Sequence, residues 1–197
     1  MDANLVLCLP EAMPVATDSS LRLALDRFLR QLERRALKMA ELGTRDRQEA
    51  LDVVQDAMTG FVKSYANKPA EDWGKLFYTV LDSRLQDWHR RQAVRRRFRV
   101  WFGLAKSDVD DHDPIAQVPD ASQYQPDALL LGSEAGVAIE AALKRLPERQ
   151  RQAFMLRVWE GFDGAQTAAV MRCSEGSVKT HLSRSLASLR KYLEPLQ

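Results

Sequence analysis

"GAQTAAVMRCSEGSVKTHLSRSLASLR" (residues 164–190) decides how the chain is organised. A short apolar segment ends at Met171, a tight turn follows at "MRCS", and Ser174 stands where a helix N-cap is preferred. Beyond it Val178, Leu182, Leu186, Leu189 and Leu193 recur at helical spacing and predict one buried face. Short helix, turn, longer helix is the helix-turn-helix pattern. With Val178 and Leu182 inward, the 3.6-residue period turns Ser177, Thr180, Arg184 and Lys191 outward, with Lys179, His181 and Ser183 on the flanks. Small hydroxyl residues let such a helix sit deep in a major groove, where arginine and lysine reach guanine edges or phosphates.

The rest of the chain carries the same helical period. Ser133 is placed to cap a helix running through Val137, Ile139 and Leu143 to Leu146; Pro147 suits the first turn of the next, which Gly161 closes. Asp18 or Ser19 is placed to cap a first helix with the stripe Leu21, Leu25, Phe28, Leu32, Ala36 and Met39, and Gly43 to end it. Thr44 then caps a second helix with Val54, Met58, Phe61 and Tyr65 inward, which "ANKPAED" interrupts. A third begins near Glu71 and runs without a breaker to Phe98. Between the halves Asp108, Asp110, Asp111, Asp113, Asp120 and Asp127 face a single Lys106, and Pro114, Pro119 and Pro126 discourage continuous helix. No strand-like alternation occurs, so the fold class is all-α. The expected units are a flexible leader (1–17), a helical bundle (18–102), an acidic flexible linker (103–133) and a helix-turn-helix unit (134–197).

Composition narrows the function classes. The 197 residues carry a net charge of +2 and two cysteines, Cys8 and Cys173, far apart and outside any CxxC pair. That fits a reduced, cytoplasmic protein with neither a disulfide framework nor structural zinc. The leader lacks the basic start of a signal peptide, and no stretch approaches the roughly 20 apolar residues of a membrane span. Asp110, Asp111, His112 and Asp113 are adjacent residues on one loop and do not form a metal shell in advance. His89, His112 and His181 lie in unrelated segments, with no nucleophile at motif spacing. Neither a metal, a cofactor nor an enzymatic activity is expected.

"DWHRRQAVRRRFRVWF" (residues 87–102) is the second informative stretch, with six arginines among rings. Trp73, Phe77, Leu81, Leu85 and Trp88 can supply core, but Arg84, Arg90, Arg91, Arg95, Arg96, Arg97 and Arg99 exceed their local carboxylates, Asp82 and Asp87. Uncompensated positive charge along a helix marks a polyanion partner. Arginines that follow phosphates beside rings that stack on bases are the composition of single-strand capture.

"LPERQRQAFMLRVWEGFDGAQTAAVMRCSEGSVKTHLSRSLASLR" (146–190) resembles region four of bacterial RNA polymerase sigma factors of the extracytoplasmic-function group. The resemblance implies that this unit reads the upstream promoter element, with contacts on Ser177, Lys179, Thr180, Ser183 and Arg184. Gln166, Thr167 and Arg172 depart from the family pattern, the last because glycine is usual in that turn. "DVVQDAM" (52–58) is similar to region two, which implies core polymerase contacts at Asp52, Gln55 and Asp56. The helix that follows resembles the one carrying the melted promoter strand, which implies Ser83, Arg84, Trp88, Arg90, Arg91, Arg95, Arg96 and Arg97 as its contacts. Ser83 stands where the family often has asparagine. The implied function is a transcription initiation factor with core RNA polymerase and promoter DNA as partners, and an anti-sigma protein as a third. The rival reading is a free-standing helix-turn-helix regulator binding duplex DNA as a dimer.

Overall fold

The computed structural model describes residues 16–101 and 134–194, and all regular structure among them is helical. The first unit contains α1 (Ala16–Thr44), α2 (Arg47–Tyr65), a 3-10 turn (Ala70–Asp72) and α3 (Trp73–Trp101). The second contains α4 (Glu134–Arg145), α5 (Glu148–Phe154), a π-helical continuation (Met155–Trp159), α6 (Gly164–Met171) and α7 (Glu175–Leu193). The expected leader, linker and Ser133 cap fall outside the described residues.

Rings hold the first unit together. Phe28 of α1 packs against Phe61 of α2 and Trp73 and Phe77 of α3, at centroid separations of 5.6, 5.4 and 6.5 Å. Phe61 and Phe77 are fully buried, and the Trp73 indole donates to the Lys68 carbonyl at 2.8 Å, tying down the turn before α3. Tilted and edge-on arrangements suit ring quadrupoles and add to the area effect.

Three helix ends differ from expectation. Helix α1 begins at Ala16, so positions 18 and 19 lie within it and not ahead of its first turn. Gly43 lies inside α1: a Cβ there would sit 3.1 Å from Leu85, so its missing side chain permits the close approach of α3. The chain turns instead at Arg45, in the left-handed region at φ 61°, and Asp46, not Thr44, caps α2 by accepting from the Glu49 N–H. The Thr44 hydroxyl donates back to the Ala40 carbonyl and closes the end of α1.

In the second unit the expected stops hold. Gly161 adopts φ 72° after the π turn, in which the Glu160 N–H bonds to the Met155 carbonyl. Two of the residues that depart from the family pattern have local roles here. Gln166 completes a capping box with Asp163, and buried Thr167 donates its hydroxyl to the Asp163 carbonyl at 2.7 Å.

The units pack against each other, and one apolar cluster runs from Leu25, Phe61 and Phe77 through Leu156, Val170 and Val178. Phe162 stacks edge-on against Tyr78 at 5.5 Å and covers Gly74. Polar contacts flank this seam: Lys38 with Glu140 at 2.5 Å and Gln152 with Asp82 at 2.5 Å. Phe61→Ala should cost about 3–5 kcal/mol of stability by leaving an unfilled cavity among four rings. A denaturant-midpoint shift worth less than about 1 kcal/mol would contradict that role.

Candidate nucleic-acid interface

Helix α7, the second helix of the helix-turn-helix, is fixed at its start by two devices. The Ser174 side chain accepts from the Ser177 N–H at 3.2 Å. Before it, Arg172 takes the left-handed conformation at φ 50°, with Arg172 N–H bonded to Ala169 O and Cys173 N–H to Ala168 O. Those paired bonds form a Schellman turn with arginine in the usual glycine position, at a cost of about 1 kcal/mol. Arg149 steadies the turn: its Nη1 donates to the Met171 carbonyl at 3.1 Å and to Gln152 Oε1 at 3.1 Å.

From that base α7 presents Lys179, Thr180, Ser183 and Arg184 to solvent on one face. Ser177 is half-buried, its hydroxyl 3.0 Å from that of Ser174, so it belongs partly to the cap. The Thr180 hydroxyl donates to the Gly176 carbonyl at 2.9 Å. The inward face differs in one position from the expected stripe: Val178, Ser185 and Leu189 are buried, whereas Leu186 is 46% exposed. The buried Ser185 hydroxyl donates to the Leu182 carbonyl, which lets a small polar residue occupy the closest approach.

On α3 the candidates divide among three surroundings. Arg90, Arg91, Arg95 and Arg97 are exposed, and Arg90 pairs loosely with Asp87 at 3.6 Å. Ser83 and Arg84 are half-buried. The Arg84 guanidinium lies over Gly60 of α2, where a Cβ would come within 3.2 Å of it. Trp88 is half-buried and donates its indole N–H to Glu49 Oε2 at 2.7 Å, so one edge of the ring is committed to α2. The side chain of Arg96 lies outside the described residues.

Asp52, Gln55 and Asp56 are exposed on α2. Together with Glu49 they form one wall of a polar groove of about 420 Å³, and Trp88, Arg91 and Arg95 form the other. Residues expected in two separate interfaces therefore share one groove. The groove also revises the linear charge count, because α2 brings three carboxylates to the arginines that Asp82 and Asp87 could not compensate.

Sequence reasoning missed the seam. Asp82 is 8% exposed; Gln86 and Gln152 donate to its two carboxylate oxygens at 2.6 and 2.5 Å. Burial pushes its carboxyl up to about 6, against the lowering effects of Arg149 and Gln152. Glu160 is buried beside Tyr78, with Arg35 at 3.5 Å, and burial raises both the Glu160 carboxyl and the Tyr78 hydroxyl. An acidic residue at a position helically in phase with Tyr78 and Leu85 was the available signal.

Residues 136–189 match the family described as "Sigma-70, region 4". The RNA polymerase sigma-E factor of Streptomyces avermitilis is 31% identical over 179 residues, covering 87% of this chain and 86% of that protein. The ECF RNA polymerase sigma factor SigX of Bacillus subtilis is 29% identical, covering 78% of this chain and 75% of its own. Among solved structures, the sigma factor RpoE crystallised with the anti-sigma factor NepR from Bartonella quintana shares the fold, at a TM-score of 0.57 and 22% identity over 91% of this chain and 97% of that one. The chain belongs to the extracytoplasmic-function group of the sigma-70 family of RNA polymerase sigma factors.

Proposed function

We propose that this chain acts as a dissociable initiation factor, in which α7 reads an upstream duplex element and the exposed arginines of α3 hold the melted strand. Core RNA polymerase docks on the α2 wall of the groove, at Asp52, Gln55 and Asp56. The observation that carries this reading is one chain holding both an exposed strip on a capped recognition helix (Lys179, Thr180, Ser183, Arg184) and a basic helix, α3, outside the helix-turn-helix. A dimeric duplex reader has no use for the second surface, and family membership favours the initiation factor. Polymerase supplies the chemistry; the factor supplies placement.

The described packing cannot serve both promoter elements at once. Helix α3 packs on α6 and α6 on α7, and packed axes lie 8–10 Å apart, so α7 is about 20 Å from α3. Two duplex turns separate the elements by about 70 Å. The roughly thirty residues between the units reach on the order of 100 Å when extended. Promoter engagement therefore separates the units. No helix among the described residues is long and apolar enough to cross a membrane, and the site of action is the cytoplasm, where polymerase and promoter are. An anti-sigma protein is a further partner in this reading, by analogy with the relative crystallised with NepR.

Transcription from a defined template with purified core enzyme tests the proposal. Specific initiation that depends on the factor, with weak duplex binding by the factor alone, is expected; tight specific binding without polymerase and no stimulation would favour the dimeric regulator. Arg95→Ala with Arg97→Ala should lower the log–log salt slope of promoter-complex formation by about 0.7–0.9 for each phosphate left unneutralised. An unchanged slope would place those arginines elsewhere. Arg184→Ala should relax preference at one upstream base pair by about 1–3 kcal/mol, whereas uniform weakening across sequences would mark a phosphate contact.

A further inference from the structure

The groove between α2 and α3 is walled by two stripes of the same helical spacing. Glu49, Asp52 and Asp56 recur at steps of three and four on α2, and Trp88, Arg91 and Arg95 repeat those steps on α3. The Trp88 indole, donating to Glu49 Oε2 at 2.7 Å, ties the walls together. Beyond that bond they face each other across about 420 Å³ of polar space. Elsewhere on the surface opposite charges close on each other directly, Arg30 on Asp26 and Lys75 on Asp72, each at 2.8 Å. Asp87 turns to Arg90 at 3.6 Å. Asp52, Asp56, Arg91 and Arg95 are all exposed, and among the described residues no ion pair joins them. They act on one another through the groove.

Packed helix axes lie about 8–10 Å apart, so a phosphate held by Arg91 or Arg95 comes within roughly a Debye length of Asp52 and Asp56 at physiological salt. Like charges at that distance repel by an amount close to the thermal energy, about a two- to threefold loss of affinity for each carboxylate. A strand laid on the arginine wall therefore meets attraction from one side of the groove and repulsion from the other. We infer that the α2 wall is an electrostatic guard: Asp52 and Asp56 hold down the affinity of Arg91 and Arg95 for single-stranded DNA in the free chain, and a partner that brings positive charge to those carboxylates lifts the restraint. The identity of that partner as core polymerase rests on the docking reading above; the guard itself does not. Coupling of this kind is reciprocal, so a strand on α3 tightens docking on α2 by the same factor. A factor built this way grips the melted strand weakly until it is mounted on polymerase.

Fluorescence anisotropy of a short labelled oligothymidylate with the full chain, without polymerase, reads the guard directly. Asp52→Asn with Asp56→Asn should raise the affinity about four- to tenfold at about 50 mM salt, and the gain should shrink as salt is raised. Glu49 keeps its charge and its bond to Trp88 in this variant, so the gain measures two of the wall's three carboxylates. Both changed positions are exposed, and circular dichroism checks that helicity is kept. Glu33→Gln with Glu194→Gln removes the same charge from exposed positions outside the groove and should change the affinity by less than about twofold. In an Arg91→Ala, Arg95→Ala background the two asparagines should bring no gain above about twofold. An unchanged or lower affinity, a gain matched by the Glu33 and Glu194 pair, a gain independent of salt, or one that survives loss of both arginines would each overturn the guard. Core binding by the Asp52 and Asp56 variant, read by competition with the unaltered chain, keeps the two readings apart. Lost core binding with no gain in strand affinity would overturn the guard and support docking on α2; a gain with undiminished core binding would do the reverse.

Discussion

The structure depends on what is demanded of α3. One side of this helix fills the ring cluster with Trp73 and Phe77 against Phe28 and Phe61. A second side, from Gly74 through Tyr78 and Asp82 to His89, is covered by the helix-turn-helix unit. What remains runs from Arg84 and Trp88 along the groove to Arg91 and Arg95. A helix is about 10–12 Å across with its side chains, so these three surfaces cannot move independently. Burial of the rings orients the arginines, and the same rotation presents Asp82 to the second unit.

That shared helix explains why the seam is apolar at its centre but polar at its edges. Phe162, Leu156 and Val170 contribute burial, which is favourable but not directional. The polar contacts at Glu140, Glu160 and Asp82 fix the register between the units. Such contacts contribute little net stability, since desolvation offsets much of their attraction. A seam built this way can hold the units in one arrangement and still yield to a partner that competes for α3. The exposed strip on α7 and the groove beside α2 both stay open while the units are closed, so closure limits the distance between the two surfaces and does not cover either.

Much of this was legible in the sequence because it is local. Ser174, Gly161 and the unusual Arg172 turn are dictated within a few residues, and the helical period alone placed Thr180 and Arg184 outward. The errors were small shifts of local competition: Asp46 outcompetes Thr44 as a cap, and Ser185 replaces Leu186 at closest approach because it fits there with its hydroxyl bonded back to α7. The groove and the seam were not legible, for one reason. Glu49 meets Trp88 across 39 residues, and Gln152 meets Asp82 across 70. No periodicity or composition pairs residues so far apart, and a count of neighbouring charges misjudged the arginines for the same reason.

The central claim is that the packed units hold α3 and α7 about 20 Å apart whereas two duplex turns set the promoter elements about 70 Å apart, so the two units must part when the promoter is engaged. Energy transfer between labels on exposed Lys63 of α2 and Lys191 of α7 tests it, in the free chain and in the polymerase–promoter complex. The account predicts a separation that grows by tens of ångströms toward the roughly 70 Å between promoter elements. A separation unchanged between the two states would contradict it.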